Sequence, residues 1–529
     1  MAAVTLASSP GSAIRIRRDD PIWREPAPIS VGKLSKRQIN DTYDQLENMF
    51  LHPGRARDGG PERALETNTL DEVPDSAWYT NRHGRHRMTM DELLRGPGNQ
   101  RAPAAGPWTI LGAKNEGVTP GFVIRDRAKH TYLLKFDTPR APNSTTASDV
   151  IGSKIFYALG YNTPENYIVT FARDRLEIGP NATVTEINGA KRPMAAYDVE
   201  RLLEQVYRRE DGSYRALASL YITGDLLGPW LYYGTRSDDP NDIYAHENRR
   251  DLRGLYVFAA WLNHYDATSL NTLDTVVEEN GTRFVRHYLI DFGSILGSSA
   301  VGSRDPRDGF VYQYDFGFAW KEALSFGLYA PEWQRADYPE LPEAGRFESE
   351  TFDPLNWKPI YQNPAFENRL PDDTYWAAKQ VMAFTNQEIR RLVETGEYED
   401  PKTIDYLTRI LIERRDKIGR AFLSTVLPLD GFAVRNGRLT FEDLAVKYGF
   451  REPLRVKAAW FFYDSRGGRG KPLAGHDLQL PPALASAAAG TLVSAVLRPD
   501  LPACNQSVLV VLRKSAQADW EVVGASRTW

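Results

Sequence analysis

An Asn-Gly pair at residues 280–281 separates two β-prone runs, TLDTVVEE (272–279) and TRFVRHYLI (282–290). Asn-Gly between such runs is the strongest short-range hairpin signal, because both residues accept φ > 0 and so match the twist of the strands they join. Antiparallel strands that turn once bring their outer ends back together. Whatever precedes residue 272 must therefore lie beside whatever follows residue 290. Asp266 and Asn271, five positions apart, precede it; Asp291-Phe292-Gly293 follows. The hairpin thus gathers a carboxylate, an amide and a second carboxylate at one point of the fold.

Those groups suit phosphoryl transfer to a hydroxyl, which needs positioning and charge neutralisation more than covalent help. Asp266 is the candidate base. Magnesium takes hard oxygen ligands and keeps several waters, so Asn271 and Asp291 suffice as its protein ligands. Phosphates also need a cation and close backbone approach. Lys135 lies in the apolar run YLLKFD, 21 residues after Lys114 in the loop GAKNEGVTPG, where Gly112, Gly117 and Gly121 let backbone approach phosphate without a Cβ. Asp149, on the helix-patterned segment 147–159, is the nearest acid that could orient Lys135. Each piece alone has a plain structural reading: a capped turn for Asp266 and Asn271, a snorkelling edge lysine, ordinary glycine turns. A second Asp-Phe-Gly at 315–317 shows that the tripeptide alone is weak; the hairpin and the order of the pieces lift the first copy.

The rest of the chain sets bounds. With 529 residues, two to four domains are expected. A net charge of −4, from 65 basic and 69 acidic residues, provides no global field for nucleic acid. No run approaches the roughly 18 apolar residues of a membrane span. One cysteine, Cys504, excludes an internal disulfide and a cysteine-based zinc site. The N-terminus is not an intact signal peptide, so localisation is cytoplasmic by default and extracytoplasmic if an export signal has been removed. Residues 1–105 read as an irregular extension with a helix near 36–48 and with Trp78 and Tyr79 as anchors on the folded body. A helix over 246–263 delivers the chain to Asp266; its Arg249, Arg250 and Arg253 are expected on a solvated face paired with nearby acids. Trp230, Tyr232 and Tyr233 read as core. Residues 299–370 are expected to be irregular, 372–393 and 403–426 helical, and 452–529 a small all-β, sandwich-like module.

In its order of glycine-rich loop, strand lysine, helix acid, hinge strand, Asp-x4-Asn, hairpin, Asp-Phe-Gly and helices, the chain resembles the protein-kinase-like superfamily. The likeness is to its atypical branches: bacterial toxin-type serine kinases, phosphatidylinositol kinases and secretory-pathway kinases. It covers about residues 108–425 and rests on motif order. The resemblance implies an α+β, two-lobed protein-kinase-like fold, with an N-lobe over 106–228 and a helical C-lobe over 229–428. The extension (1–105) would precede it and a sandwich-like β domain (450–529), with a possible protein or glycan partner, would follow. It implies ATP and Mg2+ as cofactors. Lys135 would hold the α/β-phosphates, Asp149 would orient it, and the stretch from Tyr221 to Gly224 would form the hinge beside adenine. Asp266 would be the base, Asn271 and Asp291 would hold metal, and the γ-phosphate would pass to a hydroxyl of a protein, sugar or small alcohol.

The sequence departs from the family pattern in places. Tyr265 precedes Asp266, so the usual His-Arg pair is absent, and Thr268 stands where many serine/threonine kinases carry a phosphate-contacting lysine. No Ala-Pro-Glu follows the Asp-Phe-Gly, and the glycines at 112, 117 and 121 lack the usual spacing. These departures fit an atypical kinase and also a pseudokinase that binds or scaffolds without catalysis. A glycoside hydrolase is a third class, with no strand-end carboxylate pair to support it.

Overall fold

The computed structural model describes residues 14–56, 60–99, 101–114, 119–186, 189–325, 329–465, 468–501, 504–517 and 519–529. In the extension, helices α1 (Asp41–Phe50) and α2 (Met90–Arg95) interrupt otherwise irregular chain. The helix expected near 36–48 begins at Asp41 because Asn40 is extended and its side chain accepts from the Tyr43 N–H at 3.2 Å. The extension is fastened along its length. The Val31 N–H donates to the Arg283 carbonyl at 2.8 Å, and the Ala525 N–H donates to the Thr69 carbonyl at 2.8 Å. Trp78 stacks on His287 with ring centroids 3.5 Å apart.

Next come β1 (Trp108–Ala113), β2 (Gly121–Arg125), β3 (Thr131–Phe136), α3 (Ser144–Ala158), β4 (Asn166–Phe171), β5 (Leu176–Thr185), β6 (Lys191–Pro193), α4 (Ala196–Leu203) and β7 (Tyr214–Leu220). The seven strands form one sheet in the order β4-β7-β3-β2-β1-β5-β6. All neighbours are antiparallel except β1 and β5. Alternation along β2 and β3 sorts the two faces. Phe122, Ile124, Tyr132, Leu134 and Phe136 enter a core with Val199 and Leu203 of α4. Val123, Leu133 and Lys135 therefore face the other way.

Beyond the sheet, β8 (Asp225–Gly228), α5 (Arg250–Leu262), β9 (Thr272–Glu279) and β10 (Thr282–Leu289) lead to a three-stranded sheet in the order β10-β9-β8. Every residue of α5 is buried. Its arginines are therefore not on the solvated face that the sequence suggests. Arg250 bridges Asp71 (2.6 Å), Asp372 (2.8 Å) and Asp373 (3.0 Å), and Arg253 lies 3.3 Å from Asp373. These pairs join the extension to the helical layer, and the expected pairing with acids holds in a buried setting.

A short hairpin of β11 (Ser298–Ser299) and β12 (Gly302–Ser303) follows, then α6 (Phe316–Leu324), α7 (Pro364–Glu367), α8 (Pro371–Met382), α9 (Asn386–Glu394) and α10 (Pro401–Leu423). The single helix expected over 372–393 is two helices. Thr385 ends the first by opening a new capping box, in which its side chain and that of Glu388 satisfy each other's backbone N–H groups. The chain ends with β13 (Leu429–Arg435), β14 (Arg438–Asp443), α11 (Leu444–Lys447), β15 (Val456–Phe462), β16 (Pro472–Leu473), β17 (Leu492–Pro499), β18 (Ser507–Lys514) and β19 (Trp520–Thr528). The last five strands form one antiparallel sheet in the order β16-β15-β17-β18-β19. The β13–β14 hairpin shares its core through Leu429 and Leu439, which pack with Trp460, Val493 and Val510. Among the described residues no helix is long and apolar enough to cross a membrane.

Candidate active site

The Asn280-Gly281 turn forms as the sequence suggests, with Asn280 at φ 51° and Gly281 at φ 77°. Its strands pair in register from Glu279 with Thr282 to Thr272 with Leu289. One more hydrogen bond, from the Ile290 N–H to the Asn271 carbonyl at 3.0 Å, carries the ladder past the strands and seats Asp291 next to Asn271. At the other end, Asn263 closes α5 in a left-handed conformation (φ 50°), which turns the chain toward Asp266. The Asn271 side-chain amide donates to the Asp266 carbonyl at 2.8 Å, which leaves its own oxygen as the available acceptor.

Lys135 completes the cluster. Its ammonium donates to Asp291 Oδ1 at 2.8 Å and to Asp149 Oδ2 at 3.0 Å. The other oxygen of Asp149 accepts from the Phe292 N–H at 2.8 Å, so one buried carboxylate fixes both the lysine and the backbone after Asp291. Asp149 is held in turn by the start of its helix. The α3 N-cap residue, Asn143, makes no capping bond; Asp137, two residues beyond Lys135, accepts instead from the N–H groups of Thr145 (2.8 Å) and Thr146 (3.1 Å). The end of β3 therefore locks the start of α3 and sets the lysine and its acid at bonding distance.

Electrostatics follow from this geometry. Burial opposes the charge of Lys135, but Asp149 and Asp291 more than offset it and hold its pKa above the usual lysine range. Burial also opposes ionisation of Asp291, yet the ammonium, with Lys114 further off, keeps its carboxyl below its ordinary range. Asp149 is pushed up by burial, which Lys135 only partly offsets. One ammonium bonded to two carboxylates leaves surplus negative charge. Asp291 is the accessible member, with 49% of its side chain exposed against 2% for Asp149. Asp291 is also left-handed at φ 57°, a conformation that costs a non-glycine residue about 1–2 kcal/mol.

This donor set fits magnesium held jointly with phosphate: an accessible carboxylate, a neighbouring amide oxygen and surplus negative charge. No group of three or more His, Cys, Asp or Glu side chains among the described residues could hold a metal ion. An ion held by Asn271 and Asp291 would take its remaining ligands from substrate and water.

The glycines have structural reasons of their own. A Cβ on Gly112 would lie 3.0 Å from the Thr183 carbonyl oxygen, and one on Gly121 would lie 2.1 Å from that of Leu134, so close strand packing requires both. Gly117 lies outside the described residues. The Lys114 ammonium donates to the Thr119 carbonyl at 3.1 Å. The Tyr221 N–H donates to the Thr131 carbonyl at 3.0 Å. Gly224 takes φ 114° where a Cβ would meet the Val276 carbonyl oxygen at 2.3 Å. On the Lys135 face of the sheet, Val123, Leu133 and Ser219 stand opposite one another and are half-buried. Two apolar side chains and a small hydroxyl thus line the sheet between the lysine and Tyr221, a strip that sequence reading did not single out, although strand alternation contained the signal.

Two further residues were not foreseen. His264, two positions before Asp266, is buried with its ring centroid 5.9 Å from Phe292 and 5.7 Å from Phe156, while Phe292 stacks on Phe156 at 4.9 Å. Burial lowers the His264 pKa to about 4, so it is neutral at pH 7. Arg304 forms an ion pair with Asp266 through Nη2 and Oδ2. The second Asp-Phe-Gly is a helix start. Asp315 caps α6, accepting from the Phe318 N–H at 2.9 Å, and pairs with Lys358 at 2.9 Å. Trp230 is buried and packs edge-on against Trp78 at 5.1 Å, in keeping with its reading as core.

No protein-family model matches the sequence, and no curated protein matches it. Among solved structures, the chain is similar to a Golgi casein kinase at 10% identity, covering 63% of this chain and 75% of that one, with a TM-score of 0.29. For the Golgi casein kinase with Mn/ADP bound, the values are 10%, 63%, 76% and 0.28. For a microcompartment-associated aminopropanol kinase they are 11%, 64%, 97% and 0.15. Likenesses this loose say nothing of activity. What this chain itself shows is the Lys135–Asp149–Asp291 junction beside the Asp266–Asn271 loop.

Proposed function

We propose that this chain is an atypical kinase that uses ATP and magnesium and transfers the γ-phosphoryl group to a hydroxyl acceptor. One observation carries the reading: the Lys135 ammonium is bonded to both Asp149 and Asp291, with Asn271 and Asp266 tied alongside by the hairpin and its flanking loop. A phosphate-binding cation, the acid that orients it, two oxygen ligands and a base then come from β3, α3, the loop after α5 and the chain just past β10.

In this reading Lys135 exchanges its bond to Asp291 for the α/β-phosphates, while Asp149 keeps it oriented. The half-buried strip of Val123, Leu133 and Ser219 covers one face of the adenine, beside the stretch from Tyr221 to Gly224. Asn271 and Asp291 would hold the magnesium, which supplies neutralisation of charge on the β- and γ-phosphate oxygens. Asp266 accepts the proton of the acceptor hydroxyl as its oxygen bonds to the γ-phosphorus and the bond to the β-phosphate oxygen breaks. With this reading go an N-lobe over 106–228, a helical C-lobe over 229–428, and a β domain over 450–529 that binds a protein or glycan partner.

A pseudokinase that scaffolds without turnover is the rival. It is favoured by the ion pair that already engages Asp266. The test is release of ADP from Mg·ATP by the full chain, with and without Asp266→Ala. Turnover that the variant loses while still binding Mg·ATP supports a kinase. Binding without turnover in the native chain supports the scaffold.

A further inference from the structure

We propose that Arg304 is a catalytic residue that contacts the phosphoryl group during transfer, supplying from beyond the Asp-Phe-Gly the cation that the loop after Asp266 lacks. The inference rests on the kinase reading above and adds a residue to it. Thr268 offers no charge at that place: it is buried, and its N–H closes a turn onto the Asp266 carbonyl at 2.7 Å. Lys135 is already shared between two carboxylates. The cation beside Asp266 is Arg304, whose Nη2 donates to Asp266 Oδ2.

Its placement is built, not incidental. The β11–β12 hairpin folds the chain back after Phe292, and β11 is anchored on α3. The Thr145 hydroxyl donates to the Ser299 carbonyl at 2.8 Å, and the Ser298 hydroxyl bonds those of Ser144 (2.8 Å) and Ser148 (2.9 Å). Arg304 follows β12 directly. Its N–H donates to the Gly297 carbonyl at 2.8 Å, its carbonyl accepts from Arg346 at 2.9 Å, and its guanidinium lies 5.4 Å from the centre of the Tyr265 ring. The side chain is 16% exposed. Nε is buried without a hydrogen-bond partner, and Nη1 forms an ion pair with Asp308 at 3.7 Å, too long for a direct hydrogen bond. The fork therefore has donors to spare beside the proposed base.

A phosphoryl group in transfer spreads negative charge over three equatorial oxygens, and a planar guanidinium can bond two of them at once. The hydroxyl proton goes to Asp266, the acceptor oxygen bonds to phosphorus, ADP leaves with the electrons of the broken P–O bond, and Arg304 keeps all its protons. In the resting chain the same guanidinium neutralises and positions Asp266.

The test uses the full chain and two probes, Mg·ADP and Mg·ADP with aluminium fluoride, which mimics the group in transfer, together with ATP turnover. For Arg304→Ala, Mg·ADP affinity should change by no more than about 2-fold, while turnover and the extra affinity conferred by fluoride should each fall about 10²–10³-fold. Arg304→Lys, which keeps charge without the fork and serves if the alanine variant fails to fold, should recover only part of both. Faster turnover in Arg304→Ala would show a latch that shields the base, and would overturn the proposal. Unchanged turnover with the fluoride gain intact would overturn it equally. A native chain that fails to bind Mg·ATP would instead bring down the kinase reading, and this proposal with it.

Discussion

Replacing Lys135 strands two carboxylates, and the size of the effect depends on which of them remains. Lys135→Met leaves Asp149, 1% exposed, with only the Phe292 N–H, and leaves Asp291 facing it. Removing one partner of a buried pair costs about 3–5 kcal/mol, because the other charge stays uncompensated. Asp149→Asn is milder. Its oxygen can still accept from the Phe292 N–H, and Lys135 keeps Asp291 at 2.8 Å. What is lost is one charge-assisted hydrogen bond, offset in part by relief of a buried charge, for a net of about 1–2 kcal/mol. The double variant lacks the stranded buried carboxylate altogether, since Asp291 reaches water, and should be less damaged than the sum by about 2 kcal/mol. Hydrogen exchange of peptides spanning β3 and α3 reads the stability of this unit directly. Additive costs, or a Lys135→Met variant no worse than Asp149→Asn, would refute the reasoning.

Other consequences follow from single contacts. His264 has a folded pKa of about 4, below the unfolded value of about 6.5, so the unfolded chain binds its proton first. Stability from this residue is present above about pH 6.5 and falls, by up to about 3 kcal/mol, as pH drops toward 4. The difference between the native chain and His264→Leu in acid melts should show that slope; parallel curves would exclude it. Gly293→Ala would place a Cβ 2.7 Å from Thr145 Cγ2. It should cost about 1–3 kcal/mol and be partly rescued by Thr145→Ser, which removes that methyl but keeps the hydroxyl, as thermal melts of the three variants would reveal. Asp315→Ala should cost α6 its cap, about 1 kcal/mol, with no change in nucleotide affinity, because the second Asp-Phe-Gly is only a helix start. A loss of affinity measured by calorimetry would contradict that assignment.

What could be read from the sequence was whatever is local or held by one turn. Asn280-Gly281 dictates its own conformation, so the return of Asp291 to Asn271 followed from two residues. Lys135 and Asp149 lie on successive elements, and their pairing needed only the short link that Asp137 tightens. Arg304 sits 38 residues from Asp266 on an irregular stretch, and nothing local announces that contact. The ion pairs of Arg250 join three distant acids, so a basic helix face that looks solvated in the sequence is interior in the fold. The break between α8 and α9 was written in Thr385 and Glu388, but the flanking apolar period masked the capping box. His264 carried a signal, a polar ring two residues before the candidate base Asp266. Gly112 and Gly121 answer to strand packing, a demand that composition cannot distinguish from phosphate binding.

In the proposed kinase, Asp291, beside Asn271 and Lys135, would hold a magnesium–nucleotide complex. Thermal melting of the full chain with ATP, with magnesium and with both, alongside Asp291→Asn, tests it most directly. A rise in melting temperature that requires both ligands and is lost in the variant is the predicted result. No shift at millimolar Mg·ATP, or an equal shift in Asp291→Asn, would contradict it.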